Sequence, residues 1–392
     1  MSQSEKPINE EYVMSHKKRF SIVIPSYQSK MQLGNTLRAL DKQNGISKDS
    51  YEVIVVDDGS SDGTGEYIGK IPKGYEFKYR YLERGPESSR GRTRNTGIGL
   101  ADGEIIVFLD SDILVREDYL VKMDEYFKFD EDILVIGYRF MMNEDVTEED
   151  MNSVNLFENK KFALDDFGKL ELRHGLFLSL SCSSKCNKYP WIHVFSCNMA
   201  VSRKNLDRAG YFDEGFKGWG MEDVEIGYRL YKIGVKIITG MKVDVFHQKH
   251  SPSNVITDPE ERIRQVDENT EFFIKKHPKA MREKPEQIMK FFRGEAVIEL
   301  DAVKGFKRNV SVCFKDKSEL NEIKEKIRKL CRRFYNRVHV FDYVEDTDLD
   351  VWMQVQEGFK TMPRYYPMII GKKLGDVARG HVADIPEDYD DF

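Results

Sequence analysis

Three short apolar runs constrain the fold of this chain more than any other feature of its sequence. Phe20–Ile24, Val53–Val56 and Ile105–Leu109 are continuous apolar segments. Between them, apolar residues recur at three- and four-residue spacing, which predicts helices. Continuous apolar strands that alternate with helices are typical of a mostly parallel sheet covered on both faces. The predicted fold is therefore Rossmann-like α/β.

The regular pattern divides the chain into two predicted units. Residues 1–18 are polar and predict a flexible N-terminus, and residues 19–280 carry the main α/β pattern. Within the main unit, residues 140–195 have weak patterning and are interpreted as an insertion that contacts an acceptor. A Pro- and Lys-rich linker precedes residues 286–392, which predict a small α/β domain for acceptor binding or self-association, such as a homo-oligomer.

The composition excludes several classes of protein. The 392 residues carry a net charge of −6, so no basic excess favours nonspecific nucleic-acid binding. No apolar run approaches the ~20 residues of a membrane-spanning helix, and no secretory signal opens the chain. We expect a cytoplasmic protein without a transmembrane segment, with peripheral contact at the inner membrane face left open.

The cysteines raise a zinc alternative. The chain contains Cys182, Cys186, Cys197, Cys313 and Cys331. The first three lie near His174 and His193, but the paired C-x-x-C spacing of common structural zinc sites is missing. An odd number of cysteines in a cytosolic chain favours reduced thiols, which is the preferred interpretation.

Acidic residues follow two of the predicted strands at the edge where open α/β sheets bind ligands. Asp57 and Asp58 can accept hydrogen bonds from ribose hydroxyls or a base N–H, although the same residues also favour turns. Asp110 and Asp112 form a D-x-D triplet directly after the predicted strand Ile105–Leu109. Two carboxylates at this spacing can hold a divalent cation that in turn binds phosphate oxygens.

Three later segments add candidate residues. Arg94 lies in a run of arginines whose planar forks match phosphate groups, but such runs are also common on solvated helix faces. Glu222 and Asp223 open a predicted helix, where carboxylates suit either a general base or the helix dipole. His247 follows a predicted strand and, with His250 nearby, offers a metal ligand or a structural histidine.

Five motifs in order resemble glycosyltransferase family 2 on a GT-A fold over residues 19–250. They are FSIVIPSYQ, VIVVDDGSSDGT, RTRNTGI, IIVFLDSDI and FDEGFKGWGMEDVEIGYRLYKIG. The W-G-x-E-D segment also resembles the galactosyltransferase-type motif of bacterial chondroitin polymerase modules. The Q-x-x-R-W motif of processive synthases is missing, so processive polymerisation with export is not expected.

The resemblance implies a role for each matching residue. The expected donor nucleotide site comprises Pro25, Tyr27, Asp57, Asp58, Arg94, Asp110 and Ser111. A Mn²⁺ or Mg²⁺ ion is expected on Asp112, His247 and Asp110, with His250 as an alternative to His247. Asp223 is the expected catalytic base. The expected acceptor site comprises Trp219, Gly220 and Glu222, with Glu222 also part of the catalytic pair.

The predicted activity is therefore inverting, metal-dependent transfer of a hexosyl or N-acetylhexosaminyl group. The donor is expected to be a UDP-sugar and the acceptor a saccharide hydroxyl, with a Ser, Thr or Cys side chain of a peptide as the second choice. A nucleotidyltransferase is disfavoured, because Pro25-Ser26-Tyr27-Gln28 stands where a glycine-rich phosphate loop would lie. A noncatalytic nucleotide-sugar-binding module is the remaining alternative.

Overall fold

A computed structural model gives the architecture of most of the chain. It describes residues 18–142, 144–153, 156–158, 173, 189–249, 258–293, 295, 308–314, 316–331, 336–342, 344, 347–353, 355 and 367–371. The strands are β1 (Phe20–Ser26), β2 (Tyr51–Asp57), β3 (Glu76–Tyr81), β4 (Ile105–Leu109), β5 (Ile113–Val115), β6 (Ile133–Met141), β7 (Asn198–Ser202), β8 (Lys236–His247), β9 (Arg308–Phe314), β10 (Asn336–Asp342) and β11 (Pro367–Gly371).

Helices fill the connections between these strands. The α-helices are α1 (Lys30–Asp41), α2 (Thr64–Gly69), α3 (Arg90–Leu100), α4 (Tyr119–Phe129), α5 (Glu148–Met151), α6 (Arg203–Ala209), α7 (Glu222–Lys232), α8 (Pro259–Lys276), α9 (Pro285–Phe292), α10 (Leu320–Cys331) and α11 (Leu349–Trp352). Short 3-10 turns occur at Lys48–Ser50, Leu156–Glu158, Pro190–His193 and Lys317–Glu319.

The main sheet has eight strands in the order β3-β2-β1-β4-β7-β6-β8-β5. The strands β3, β2, β1 and β4 run parallel, and β6 is parallel to β8. Strand β7 is antiparallel to both β4 and β6, and β5 is antiparallel to β8. The predicted α/β class with a mostly parallel sheet is therefore confirmed.

Alternating side chains of the central strands enter two different cores. On β1, Ile22 and Ile24 pack with Val53 of β2 on one face of the sheet. Val23 and Ile54 enter the core on the opposite face. All five side chains are fully buried, which agrees with continuous apolar strands covered by helices on both faces.

The structure differs from the apolar pattern of the sequence in three places. Val235–Ile238 and Val243–His247 each have the pattern of a separate strand, but β8 is one continuous strand, and its pairing with β6 is irregular between Gly137 and Arg139. The pattern at 195–201 predicts a strand that begins three residues before β7. Strand β5 was not predicted, since its three residues are too few to show a pattern.

The C-terminal strands form a separate three-stranded parallel sheet in the order β11-β10-β9. Helix α10 covers it, and Ile323 and Ile327 enter a small core with Trp352 of α11. This core also contacts Phe129 of α4, so the small sheet lies against the main unit. Helix α9, at the predicted boundary, places Ile288 in a core of the main unit. The division at residues 280–286, and the role of the C-terminal unit, stay predictions.

Candidate active site

The first candidate pair lies where β1 and β2 end side by side. Pro25 and Ser26 of β1 are in register with Val56 and Asp57 of β2. The carboxylate of Asp57 accepts hydrogen bonds from the Ser60 amide at 2.8 Å and the Tyr79 hydroxyl at 2.9 Å. These contacts close the turn after β2, so Asp57 has a structural role whether or not it also contacts a nucleoside.

Asp58 faces an arginine that the sequence analysis missed. Its carboxylate pairs with Arg84 Nη1 at 2.7 Å and accepts a hydrogen bond from the Ser88 hydroxyl at 2.9 Å. Burial raises the pKa of Asp58, while Ser88 and Arg84 oppose that shift. The Arg84 guanidinium also lies 3.9 Å from the centre of the Tyr27 ring. A flat ring, a carboxylate and a planar cation therefore meet at this strand end, which suits a nucleobase.

The D-x-D carboxylates point to different partners. Asp110 Oδ1 lies 3.4 Å from Arg94 Nη2, whereas Asp112 Oδ2 lies 3.5 Å from His247 Nε2. Between them, the Ser111 carbonyl accepts a hydrogen bond from Thr36 of α1 at 2.9 Å. The structure thus brings Asp112 and His247 together, as a shared metal ion requires.

Strand pairing explains why Asp112 and His247 meet. Ile113 of β5 lies opposite His247 of β8, and the Gln248 amide donates to the Asp112 carbonyl at 2.9 Å. His247 Nδ1 lies 3.0 Å from the Gln248 carbonyl, which favours a proton on Nδ1. Nε2 then lies beside a carboxylate oxygen of Asp112. An imidazole nitrogen and a carboxylate oxygen are ligands of divalent cations, so this donor set fits Mn²⁺ or Mg²⁺. His250 lies outside the described residues.

A second acidic cluster lies at the opposite end of the sheet strands. Glu52, Glu76 and Asp102 are the described residues that bring three carboxylates within 4.8 Å of one another. The Lys78 ammonium lies 2.6 Å from Glu52, 3.5 Å from Glu76 and 2.5 Å from Asp102. Because an ammonium already stands among these carboxylates, the cluster is a poor candidate for a metal site.

Arg94 joins the two halves of the candidate site. Its side chain is only 3% exposed, with Nη2 beside Asp110 and Nη1 at 3.1 Å from Glu222. The D-x-D triplet and the W-G-x-E-D segment therefore share one buried cation. The expected direct contact between Arg94 and the donor stays a prediction, since both terminal nitrogens already bond carboxylates.

Asp223 lies in the first turn of α7, next to Glu222. Its Oδ2 accepts a hydrogen bond from the Ser196 amide at 3.2 Å, and its Oδ1 accepts one from the Val224 amide at 2.9 Å. Burial, reinforced by the charge of Glu222, raises the pKa of Asp223 to about 6, against the attraction of Arg94. A carboxylate with a pKa near neutrality is suited to proton transfer.

The loop before α7 has an unusual backbone. Gly218, Gly220 and Met221 all have positive φ angles, of 69°, 92° and 77°. Asn269 of α8 holds this loop by donating to the Trp219 carbonyl at 3.1 Å and to the Gly220 carbonyl at 3.0 Å. The left-handed turns present Trp219, half-buried, beside the two carboxylates that follow.

The zinc alternative falls mostly outside the described part of the chain. His174, Cys182 and Cys186 are among the residues that the structure does not describe. Cys197 is buried. The predicted insertion at 140–195 is described only in part.

Among the described residues, no helix has the length and apolar character needed to cross a membrane.

Two family models match consecutive parts of the chain. The model of glycosyl transferase family 2 matches residues 21–185, and the model described as the N-terminal domain of galactosyltransferase matches residues 178–251. Together they cover the five motifs identified in the sequence, apart from Phe20 at the start of the first. The resemblance to family 2, with a galactosyltransferase-type segment after it, is therefore confirmed.

Characterised and uncharacterised relatives agree with these matches. An uncharacterized glycosyltransferase of Bacillus subtilis, YfnE, is 28% identical over 60% of this chain and 65% of its own length. A validoxylamine A glucosyltransferase of Streptomyces hygroscopicus is 26% identical over 69% of this chain and 59% of its own length. A chondroitin synthase of Escherichia coli is 29% identical over 58% of this chain and 34% of its own length. The chain thus spans less than two thirds of each relative.

Proposed function

We propose that this chain, which carries a glycosyltransferase family 2 region at residues 21–185, transfers a hexosyl or N-acetylhexosaminyl group from a UDP-sugar to a saccharide hydroxyl. One observation carries the proposal. The buried Arg94 contacts both Asp110 and Glu222, so the donor and acceptor motifs of the family form one site. Relatives that include a glucosyltransferase and a chondroitin synthase support a transferase that acts on sugars.

In the proposed reaction, the acceptor proton and the leaving group are handled at separate ends of the site. The acceptor oxygen forms a bond to C1 of the sugar while the bond from C1 to the diphosphate oxygen breaks. Asp223 takes the acceptor proton, and UDP leaves with the electron pair. Because attack comes from the face opposite the leaving group, the anomeric configuration inverts.

Three groups of side chains position the reactants. Tyr27, Asp58 and Arg84 hold the nucleoside, and Trp219 packs against the acceptor sugar. Asp112 and His247 would hold the divalent ion, which would neutralise charge on the departing diphosphate. Arg94 fixes the carboxylates of Asp110 and Glu222 relative to each other and adds positive charge near the leaving group.

Donor identity and stereochemistry test the proposal directly. The protein is incubated with a panel of nucleotide sugars, and release of nucleoside diphosphate is measured with and without added saccharides. We expect release from a UDP-sugar, and a transferred sugar whose anomeric configuration, read by NMR, is opposite to that of the donor. Release from none of the donors would favour a noncatalytic binding module, and a retained configuration would contradict the inverting mechanism.

Removing either expected metal ligand should weaken UDP binding only when metal is present. Asp112→Ala and His247→Ala are each expected to lower UDP affinity at least about tenfold in Mn²⁺, because one ligand to the cation would be lost. Calorimetry with Mn²⁺ and with a chelator measures the effect. Asp102→Asn, in the Lys78 cluster, is the matched control and should behave as the unmodified protein. Equal UDP affinity in Mn²⁺ and in chelator would contradict the metal assignment.

Arg84 is expected to determine nucleoside affinity. Arg84→Ala removes the cation that pairs with Asp58 and stacks on Tyr27, so UDP affinity should fall at least about tenfold, the cost of one charged hydrogen bond. Arg80→Ala removes an exposed cation from the adjacent strand β3 and serves as the control. Isothermal titration with UDP measures both variants. A UDP affinity that is the same in Arg84→Ala and Arg80→Ala would exclude Arg84 from the nucleoside site.

A further inference from the structure

Helix α1 reaches the candidate metal site through Gln248, the residue that follows β8. The side chain of Gln248 is only 2% exposed. Its Nε2 donates to the Gln32 carbonyl of α1 at 3.0 Å, and its Oε1 accepts a hydrogen bond from Asn35 Nδ2 at 3.0 Å. A buried amide that is bonded through both its oxygen and its nitrogen has little freedom to rotate. Gln248 therefore fixes the end of β8 against α1.

The backbone of Gln248 extends this anchoring to both expected metal ligands. Its amide donates to the Asp112 carbonyl at 2.9 Å, and its carbonyl lies 3.0 Å from His247 Nδ1. A hydrogen bond at Nδ1 sets the orientation and the tautomer of an imidazole that binds metal through Nε2. Because one residue makes all these contacts, a shift of its side chain also moves its contacts with Asp112 and His247.

Thr36 anchors the chain on the other side of Asp112. Thr36 is fully buried, and its hydroxyl donates to the Ser111 carbonyl at 2.9 Å. The same hydroxyl lies 3.1 Å from the Gln32 carbonyl and 3.5 Å from Gln248 Nε2. Strand β5, which follows Asp112, has only three residues and lies at the edge of the sheet beside β8. So short a strand makes few ladder hydrogen bonds, so the contact with α1 adds to its fixed position.

The polar character of these positions on α1 is unusual for a buried helix face. Leu33 and Leu37 of the same helix pack in the apolar core. Asn35 and Thr36 are buried as deeply, at 2% and 0% exposure. A buried polar side chain costs free energy unless it is bonded, and a fully bonded network fixes one arrangement of its members. Both side chains bond segments that adjoin the expected metal ligands.

We propose that three buried side chains form a positioning network for the divalent ion, namely Asn35, Thr36 and Gln248. They hold the Asp112 carboxylate and the His247 imidazole together without touching the ion themselves. This inference rests on the proposed function, because it concerns the metal site of the same enzyme. Loss of the network lets the two ligands move apart and weakens metal binding, whereas the nucleoside site at the ends of β1 and β2 keeps its contacts.

Replacing Gln248 by methionine tests the network at its centre. The dissociation constant for Mn²⁺ should rise at least about tenfold, the low end for losing an outer partner of a metal ligand. Electron paramagnetic resonance of free Mn²⁺ measures binding, with and without UDP. Gln43→Met is the matched control, because Gln43 is also buried but bonds the Arg116 carbonyl at 2.7 Å, beyond the far end of β5. Equal losses of Mn²⁺ affinity in both variants would indicate general loosening and overturn the inference.

Replacing Thr36 by valine tests the network with a smaller change. The hydroxyl becomes a methyl group of similar size, so Mn²⁺ affinity should fall at least about threefold, the effect of one modest hydrogen bond. Thr36→Ser keeps the hydroxyl and should retain the affinity. Thr270→Val is the matched control, because Thr270 is fully buried and bonds only the Val266 carbonyl of its own helix among the contacts described, at 2.6 Å. Equal losses in Thr36→Val and Thr36→Ser, or in Thr36→Val and Thr270→Val, would contradict the positioning role.

Two further measurements separate this inference from the proposed function. Circular dichroism shows whether each variant is folded, and Thr36→Val decides the question if Gln248→Met does not fold. Selective loss of Mn²⁺ affinity in Gln248→Met would support the network even if no nucleotide sugar is a donor, so that only the proposed function fails. If sugar transfer requires Mn²⁺ but Gln248→Met and Gln43→Met bind Mn²⁺ equally, only the network is wrong. No Mn²⁺ binding by the unmodified protein, with or without UDP, would overturn both the metal assignment and the network.

Discussion

Replacing Asp223 by asparagine is expected to lower the rate of sugar transfer at least about a hundredfold, the low end for a lost general base. The amide keeps the size of the side chain but cannot take the acceptor proton. Its oxygen can still accept the hydrogen bond from the Val224 amide, so α7 should begin as before. UDP affinity should stay nearly unchanged. Initial rates at saturating donor and calorimetry with UDP measure the two effects.

The pH dependence of transfer should identify the same carboxylate. The pKa of Asp223 is raised to about 6, so the fraction of enzyme with an ionised base falls about tenfold per pH unit below that value. We expect kcat/KM of the unmodified protein to decrease on the acid side with a midpoint near pH 6. The residual activity of Asp223→Asn should lack this step. The same step in the variant would assign it to another group.

The melting temperature of Asp223→Asn tests whether Asp223 acts only as a helix cap. Its folded-state pKa lies above the ordinary value of 3.8, so its contribution to stability is complete below that pH and is lost as pH rises through about 6. Above about pH 7, Asp223→Asn should therefore melt no lower than the unmodified protein. Asp207→Asn, an exposed substitution on α6, is the matched control. A large drop in melting temperature would instead indicate that Asp223 is a helix cap.

Replacing Arg94 by methionine is expected to remove about 3–5 kcal/mol from the free energy of unfolding, as when one partner of a buried ion pair is lost. Methionine fills similar volume but leaves Asp110 and Glu222 without their cation. Urea unfolding followed by circular dichroism measures the change. Arg92→Met, on the same helix and paired with the exposed Glu87 at 3.4 Å, should cost less than about 1 kcal/mol.

A double variant tests whether the stability lost in Arg94→Met arises from the pairing of Arg94 with Glu222. Glu222→Gln removes the carboxylate that Arg94 bonds at 3.1 Å, so combining it with Arg94→Met should recover part of the lost stability. Strictly additive losses would show that the two side chains contribute independently. An Arg94→Met variant as stable as Arg92→Met would contradict the bridging role.

The sequence predicted those parts of the site that depend on strand ends. Because open α/β sheets bind ligands at the carboxyl ends of their strands, the apolar runs alone placed Asp58 and Asp110 at that edge, and the two residues directly follow β2 and β4. The buried pattern of these strands also predicted two helical layers. The apolar runs were enough to predict these strands, because each strand is continuous, short and bounded by polar residues.

Other parts of the site depend on long-range contacts that have no local pattern. Arg84 lies in an irregular loop, and only its contact with Asp58 distinguishes it from other surface arginines. The meeting of Asp112 and His247 needs the antiparallel pairing of β5 with β8, two segments more than 120 residues apart in the chain. The residue types of Asp112 and His247 indicated that both can be metal ligands. The expectation that they lie close together came from the family resemblance and not from the periodicity of the sequence.

Helix α8 positions the acceptor loop before α7, whereas other elements supply the proposed nucleoside site. This separation has an evolutionary consequence. Its Asn269 fixes the acceptor loop, and its Gln265 accepts a hydrogen bond from the Trp219 amide at 2.9 Å. The proposed nucleoside contacts, in contrast, all come from residues before position 90. If the proposed function holds, substitutions on the face of α8 that contacts this loop can therefore alter the recipient of the sugar without disturbing the nucleotide site. Lineages that share one activated sugar could diverge in the glycans they build by changing this single helix.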